Sequence, residues 1–264
     1  MRPNQKPLQV TILGSGTCVP SLERSACSVL ITFDDTVFLL DCGPGTMRRL
    51  LEAGVSIFEV THLGISHFHP DHTGELVPFL FANKYPDGSR RKAPLTLIGG
   101  PGFKNFFNRL GGIYGQWIDG AGKLHLIEMG ESTKSEKSFP GFLLQTAPVA
   151  HQPESMAFRI EGPENNSIVY SGDTDESENL VALAAGADLL ICEAALPDGR
   201  KVPGHLTPSL AGQMAARAGV KKLVLTHFYP ECETGDIKDQ CRSTYAGALE
   251  LARDLLYISL SGAE

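Results

Sequence analysis

The stretch His67-Phe68-His69-Pro70-Asp71-His72 offers a metal ligand at four of its six positions. Imidazole and carboxylate in combination suit zinc and its neighbours better than magnesium or calcium, which prefer oxygen alone. His67 and His69 are two residues apart, so on an extended backbone they project to one side and can share an ion. Pro70 fixes its own φ and bends the chain, which directs Asp71 and His72 toward a second position. A β-like run, Thr61-His62-Leu63-Gly64-Ile65-Ser66, precedes the cluster, and the apolar Gly74 to Phe81 stretch follows it. The cluster is therefore expected on a loop at the C-terminal end of a strand, entering a helix, where a ligand group of this density reads as a site.

The 264 residues are enough for one large core, and the expectation is a single domain over 1–264. The net charge of -7 argues against a protein held to nucleic acid by bulk electrostatics. Arg90-Arg91-Lys92 and Lys221-Lys222 are the candidates for a local basic surface, and both read first as solvated loop charges. Six scattered cysteines, Cys18, Cys27, Cys42, Cys192, Cys232 and Cys241, have no C-x-x-C spacing and read as free, mostly buried thiols. No apolar run approaches the roughly 18 residues of a membrane span. The N-terminal Met1 to Pro7 lacks the apolar core of a secretion signal. A soluble, cytoplasmic protein with no membrane partner is the expectation.

Strands are predicted at Leu8–Leu13, Ala26–Phe33 and Thr36–Leu40, the last two joined by an Asp34-Asp35 turn. Thr46 is expected to cap a helix carrying Met47, Leu50 and Leu51. Further strands are predicted at Leu95–Ile98, Lys123–Glu128, Phe142–Val149, Met156–Ile160, Ser167–Tyr170, Asp188–Cys192 and Lys222–Leu225. Helices are predicted over 74–84, Phe103–Leu110, Ser177–Ala185, Thr207–Ala218 and Ser243–Tyr257. Strand-rich stretches in each half, with helices beside them, fit an α/β protein built as a four-layer αββα sandwich better than one alternating parallel sheet. Gly14-Ser15-Gly16 follows a strand but lacks the third glycine and the lysine of a phosphate loop.

Two ions need more ligands than the hexapeptide supplies. His151, Asp173 and His227 each follow a predicted strand, so they can arrive at one rim of one sheet system.

At these residues the chain resembles the metallo-β-lactamase superfamily, and within it the ribonuclease Z-like phosphodiesterase branch. The resemblance rests on Leu13-Gly14-Ser15-Gly16-Thr17, Leu40-Asp41-Cys42-Gly43-Pro44-Gly45, Ser66 to Gly74, His151, Ser171-Gly172-Asp173-Thr174 and Leu225-Thr226-His227-Phe228. It implies the metallo-β-lactamase fold and two Zn2+, with Mn2+ or Fe2+ as substitutes. By it His67, His69 and His151 would hold the first ion, Asp71, His72 and His227 the second, and Asp173 would bridge. Asp41 would orient a ligand imidazole from outside the ligand shell. Glu193, in Cys192-Glu193-Ala194-Ala195, and His205, in Gly204-His205-Leu206-Thr207-Pro208, resemble the branch's pair in which a carboxylate positions the histidine that protonates the leaving oxygen.

The implied chemistry is attack on phosphorus by a metal-bridging hydroxide, with His205 as acid and Glu193 as its orienter. The branch also assigns a base role to the carboxylate at Asp71. Two dications outweigh two carboxylates and a hydroxide, so such a centre favours an anionic ester, for which RNA 3′ ends, cyclic nucleotides and other small diesters are the candidates. Two departures point away from tRNA. The long arm of tRNA-processing relatives would fall between His151 and Asp173, where residues 152–172 hold only two strands and a turn, and the usual Ser-Pro-Arg-Tyr after the last histidine is replaced by Tyr229-Pro230-Glu231-Cys232. The rival readings are a lactonase, a thioester hydrolase or a sulfate-ester hydrolase on the same centre. Histidine at 69 argues against the diiron oxidoreductase branch, whose motif has glutamate there. Aromatic residues over 103–117, including Phe106, Tyr114 and Trp117, read as core first and as a substrate mouth second. The resemblance also implies a homodimer.

Overall fold

The protein is described by a computed structural model over residues 7–85, 90–91, 93–130 and 132–260. In chain order the first half comprises β1 (Leu8–Gly14), β2 (Ser28–Phe33), β3 (Thr36–Leu40), α1 (Thr46–Glu52), β4 (His62–Ile65), α2 (Pro70–Thr73), α3 (Leu76–Lys84), β5 (Leu95–Gly99), α4 (Phe103–Tyr114) and β6 (Leu124–Glu128). The second half comprises β7 (Ser135–Phe139), β8 (Phe142–Pro148), β9 (Met156–Glu161), β10 (Ser167–Tyr170), α5 (Glu178–Leu183), β11 (Leu189–Glu193), α6 (Pro208–Ala218), β12 (Lys222–Thr226), α7 (Ile237–Arg242), β13 (Ala248–Leu251) and β14 (Leu256–Leu260). Short 3-10 turns fill several connections.

Two seven-stranded sheets result, in the orders β14-β1-β2-β3-β4-β5-β6 and β13-β12-β11-β10-β9-β8-β7. Each is antiparallel on one side and parallel on the other, the change falling at β3–β4 in one sheet and β10–β11 in the other. Side-chain alternation divides the layers. Val10, Ile12, Val29, Ile31, Phe38 and Leu40 enter the core shared with the second sheet, which contributes Leu144, Phe158, Ile160 and Val169. Leu13, Leu30, Leu39 and Leu63 face the other way, onto Leu50 of α1, Phe79 of α3 and Phe103 of α4. Helices α5 and α6 cover the second sheet through Leu180, Met214 and Ala215. The αββα sandwich expected from the sequence is the observed fold.

The prediction of a helix over Ser243–Tyr257 is wrong. Residues 248–251 pair in parallel with β12, as Lys222↔Ala248 to Leu225↔Leu251, and 256–260 pair antiparallel with β1, as Leu8↔Leu260 to Ile12↔Leu256. Alanine, leucine, glutamate and arginine favour helix locally, but two open sheet edges need partners for their backbone groups, and that tertiary demand prevails. The only helix in this region is α7, just upstream. Strand β7 was not predicted, because Ser-Glu-Lys-Ser-Phe has the charged composition of a sheet edge. Thr46 does not cap α1 either. Its hydroxyl donates to the Gly43 carbonyl, and the Glu75 carboxylate accepts from Gly45 N and Met47 N at 2.8 and 2.7 Å, supplying a cap and a negative charge from a distant residue.

Arg91 corrects another expectation. It is buried, donating to Asn83 Oδ1 and the Val60 and Ile57 carbonyls, so it fastens loops rather than offering charge to a partner. Lys92 lies outside the described residues. Lys221 and Lys222 are paired to Asp188 and Glu250. Gly14 is fixed by packing: a Cβ there would stand 1.9 Å from the Ala26 carbonyl oxygen, so the backbone of the opening loop contacts protein where a phosphate loop would contact ligand. All six cysteines are free, and all but Cys18 are buried. No helix among the described residues is long and apolar enough to cross a membrane.

His62, at the start of β4, provides a stability probe away from the metal-ligand candidates. Its ring stacks on Phe38 at 5.6 Å and meets Phe139 and Phe142 edge-on at 5.0 and 5.1 Å. Burial lowers its pKa to about 4. Above pH 6.5 both folded and unfolded chains hold it neutral. As the pH falls from 6.5 toward 4 only the unfolded chain gains the proton, so stability is lost across that window. Comparing wild type with His62→Leu by urea denaturation at pH 7 and pH 4 isolates this term. Wild type should lose roughly 1–2 kcal/mol more than the variant, a value reduced for partial solvent screening; equal losses would refute the assignment.

Candidate active site

The C-terminal ends of β4, β8, β10, β11 and β12 meet at one rim, and each delivers part of the site. Ser66, at a bend, and His67 follow β4 directly. His69 precedes Pro70, which occupies the first turn of α2, where its missing N–H costs nothing. The short α2 then turns Asp71 and His72 inward, and both are buried. His151 follows β8, Asp173 follows β10, Glu193 ends β11 and His227 follows β12.

The seven predicted ligand side chains converge. His67, His69, His151 and Asp173 form one group with ligand atoms within 4.8 Å of one another, and Asp71, His72 and His227 form a second. His69 Nδ1 and His151 Nε2 are 3.2 Å apart. Asp173 lies between the groups: one oxygen is 3.7 Å from His67 Nε2 and 4.0 Å from His151 Nε2, and the other is 3.2 Å from His72 Nε2 and 3.3 Å from His227 Nε2. Asp71 is 3.6 Å from His227 Nε2 and 3.9 Å from His72 Nε2.

The outward nitrogens of three histidines are already engaged, which aims the inward ones. Asp41 Oδ2 accepts from His72 Nδ1 at 2.7 Å. The Gly204 carbonyl can only accept, so His151 Nδ1 carries the proton of their 2.8 Å bond. Ser66 Oγ gives its one hydrogen to Asp41 and therefore accepts from His67 Nδ1 at 3.1 Å. Asp41 also accepts from Ser66 N and from the Tyr170 hydroxyl, each at 2.7 Å, and its φ of 59° places a carboxylate residue in the left-handed region. Such outer partners fix ring orientation and raise ligand basicity. Sequence reasoning identified Asp41 but missed Tyr170, whose only signal is a polar group ending an otherwise apolar strand.

Whether these residues fit a metal is tested by the atoms left over. His67 Nε2, His72 Nε2, Asp173 Oδ1 and both ring nitrogens of His227 are buried without a hydrogen-bond partner. Unpaired buried polar atoms are costly, and four of these, His67 Nε2, His72 Nε2, Asp173 Oδ1 and His227 Nε2, belong to side chains that converge, which suits cation coordination. Electrostatics agree. Burial, aided by the charge of His72, pushes His67 down to about 2, which leaves a neutral imidazole ready to donate a lone pair. Burial opposes charge on His72 as well, yet Asp173 and Asp41 together hold its pKa well above the usual value. Burial likewise resists ionisation of Asp173, and His227 and His72 overcome it, so its carboxyl stays well below the ordinary range. A site this anionic at its centre and this rich in imidazole fits a divalent ion or a pair of them.

Beside the second group stand Glu193 and His205. Glu193 is fully buried and 3.0 Å from His205 Nδ1. It also accepts from Thr174 N, Ala195 N and Leu206 N, at 2.7, 3.3 and 3.2 Å. Burial raises the Glu193 pKa, but four donors suit an ionised carboxylate, and the proton of the pair belongs on the imidazole. Burial works against charge on His205, while Glu193 and Asp173 raise its pKa above the usual value. His205 is partly exposed, and its Nδ1 lies 3.9 Å from Asp173, beside the ligand cluster.

Two clefts flank the rim. One, of about 500 Å³, is lined by the loop from Thr17 to Leu22 with Arg24, Arg48, Pro70 and Asp71. The other, of about 700 Å³, is apolar and lined by Phe68, Val77, Phe81, Phe106, Tyr114 and Trp117 among others. The aromatic stretch 103–117 is therefore divided: Phe103 and Phe107 are core, whereas Phe106 stacks on Phe68 at 4.5 Å and opens onto the cleft.

Comparisons with known proteins agree with this geometry. The family model described as anti-Pycsar protein Apyc1 matches residues 8–243. Ribonuclease Z of Mycobacterium bovis is 30% identical over 272 aligned residues, covering 94% of this chain and 96% of that protein. Ribonuclease Z of Mycolicibacterium paratuberculosis is 31% identical with the same coverage. Among solved structures, the metallo-beta-lactamase fold protein YhfI from Bacillus subtilis superposes with a TM-score of 0.80 at 21% identity, covering 96% of this chain and 100% of that one. Human tRNase Z, short form (ELAC1), gives 0.79 at 24% identity, with 96% and 99% covered. The two structures support the fold, and the family model and the sequence relatives go further: the chain belongs to the metallo-β-lactamase superfamily of metal-dependent hydrolases, in the group that contains the Apyc1 family and the ribonuclease Z proteins.

Proposed function

We propose that this protein is a metal-dependent phosphodiesterase that cleaves a small phosphodiester, a cyclic nucleotide or a short RNA 3′ end, with two zinc ions as its natural complement. His67, His69 and His151 would hold one ion, Asp71, His72 and His227 the other, and Asp173 both. Metal bound there supplies Lewis-acid charge for the phosphoryl oxygens and activates water as the nucleophile. The chain's own groups then account for the leaving side. His205 gives its Nδ1–H to Glu193, which favours the imidazolium, so the proton on Nε2 is the one it can deliver to an alkoxide as the ester bond breaks. Glu193 keeps the imidazole in one orientation throughout and, by staying ionised, favours the return of a proton from water to His205 Nε2 after each turnover.

The observation that carries the reading is the Glu193–His205 pair beside the ligand cluster. A thioester hydrolase has less need of such an acid, because a thiolate departs more easily than an alkoxide. Support for a compact substrate comes from the short β9–β10 connection, where relatives that process tRNA would carry their arm, and from the cleft of about 500 Å³ at Asp71, a size suited to a mononucleotide. The reading includes action as one domain and the homodimeric state implied by the family resemblance.

A panel tests it. Enzyme of measured zinc content is offered a cyclic nucleotide, a linear dinucleotide, a precursor tRNA, a sulfate ester, a lactone and a thioester. The expected result is highest kcat/KM on one of the small phosphodiesters, abolished by chelation and restored by zinc. Preferred turnover of lactone, thioester or sulfate ester overturns the phosphodiesterase reading, and preferred turnover of precursor tRNA overturns the small-substrate part of it.

A further inference from the structure

The segment Thr174-Asp175, just after Asp173, touches three parts of the site at once. Thr174 N donates to Glu193 Oε1 at 2.7 Å. Ala150 N donates to Thr174 Oγ1 at 3.2 Å, and Asp175 N donates back to the Ala150 carbonyl at 2.8 Å, so the segment is zipped to the residue before His151. The Asp175 carboxylate accepts from Gly204 N at 2.9 Å and from Lys201 Nζ at 2.9 Å, and Lys201 Nζ also donates to the Val202 carbonyl at 2.8 Å. The circuit closes when His151 Nδ1 donates to the Gly204 carbonyl. Gly204 has φ +85°, and a Cβ there would stand 3.0 Å from His151 Nδ1; this position favours glycine on both counts.

The peptide that carries His205 therefore has few attachments on its N-terminal side. His205 N reaches only the Val202 carbonyl, at 3.4 Å. Its remaining restraint there is Gly204, held through its N–H by Asp175 and through its carbonyl by His151. From this we infer that Asp175, with Lys201, is a positioning residue that sets His205 in register with the ligand cluster, so that proton delivery is coupled to the group His151 ligates. The inference rests on the phosphodiesterase reading, in which His205 is the acid. Asp175 contacts none of the reacting atoms; it acts through Gly204 and the 201–205 loop. A carboxylate is suited to this task because it accepts from an ammonium and a peptide N–H together, whereas an amide in its place loses the charge-assisted share of both bonds.

Leaving-group dependence distinguishes positioning of an acid from general structural support. Asp175→Asn and, as a milder disruption at an exposed partner, Lys201→Met are compared with wild type on two diesters of one nucleotide, with an alkyl alcohol and with p-nitrophenol as leaving groups. A nitrophenolate departs without a proton, so it does not need His205. The expected result for Asp175→Asn is a kcat about tenfold lower on the alkyl diester, less than twofold lower on the nitrophenyl diester, and unchanged zinc content. Lys201→Met should shift the same ratio in the same direction by less. In a His205→Ala background, Asp175→Asn should add almost nothing, because the two act on one step. Equal losses on both diesters, full additivity with His205→Ala, or loss of zinc would overturn the inference. If His205→Ala itself is indifferent to the leaving group, the phosphodiesterase reading fails with it; if only Asp175→Asn is indifferent, the positioning role alone fails.

Discussion

His205→Ala is expected to lower kcat on an alkyl phosphodiester by about 10²–10⁴-fold, the range attached to loss of a positioned general acid. Zinc content and folding should be little changed. The imidazole is partly exposed and donates through Nδ1 to Glu193, whose other oxygen-bound donors, Thr174 N, Ala195 N and Leu206 N, remain after the ring is removed. The variant therefore removes a proton donor and leaves the buried carboxylate with three partners. Glu193→Ala is a poorer experiment, because three backbone N–H groups in a buried setting would lose their acceptor, and their desolvation would be confused with catalysis. On a nitrophenyl diester the His205→Ala defect should shrink to less than about tenfold. Measuring kcat for both substrates, with zinc quantified on the same sample, decides the role. A defect of equal size on both would assign His205 to substrate binding or structure instead of proton delivery.

How much of this was legible in the sequence follows from the range of the forces involved. The candidate ligands could be picked out, and the structure brings them together, because coordination chemistry limits such a set to a few residue types and each candidate lies at or just beyond the end of a strand. Hydrophobic alternation likewise placed β1, β2 and β3 almost to the residue. Residues 243–257 failed for the opposite reason. Their local preference is helical, and only the open edges presented by β1 and β12 convert them to strands. The capping of α1 by Glu75, the burial of Arg91 and the Tyr170 bond to Asp41 are of the same kind: each joins residues more than 25 positions apart or separated by an intervening element, and neither partner carries a sequence mark of the other. Asp175 is the most instructive omission. It lies two residues from a predicted ligand, yet an aspartate in Thr-Asp-Glu-Ser reads as a solvated turn or helix-start residue, and its tie to Gly204 exists only once β8, β10 and β11 bring their ends to one rim.

Asp173→Asn is expected to have the largest effect of any substitution at the site. Asp173 is the one carboxylate whose two oxygens face the two histidine groups, at 3.7 and 4.0 Å on one side and 3.2 and 3.3 Å on the other. Asparagine keeps the shape and removes the charge. Without that charge the site must bring its cations together with less compensation, and Asp71, on the side of His72 and His227, is left as the only ligand carboxylate. Zinc content should fall, and kcat/KM should fall by about 10³-fold or more, the equivalent of the several kcal/mol that metal ions contribute to charge stabilisation at phosphorus. Thermodynamic linkage supplies a readout independent of activity. Zinc at a hundredfold excess over its Kd stabilises a folded protein by about 2.7 kcal/mol, so wild type should melt several degrees higher with zinc than with chelator. In Asp173→Asn that gap should close mainly from the zinc-loaded side, and the chelated variant should melt below chelated wild type by less than the gap itself, since the metal-free carboxylate still pairs with His72 and His227. Retention of full zinc content with near wild-type turnover would remove Asp173 from the centre, and a variant that melts far below wild type even in chelator would make it a residue of the fold instead.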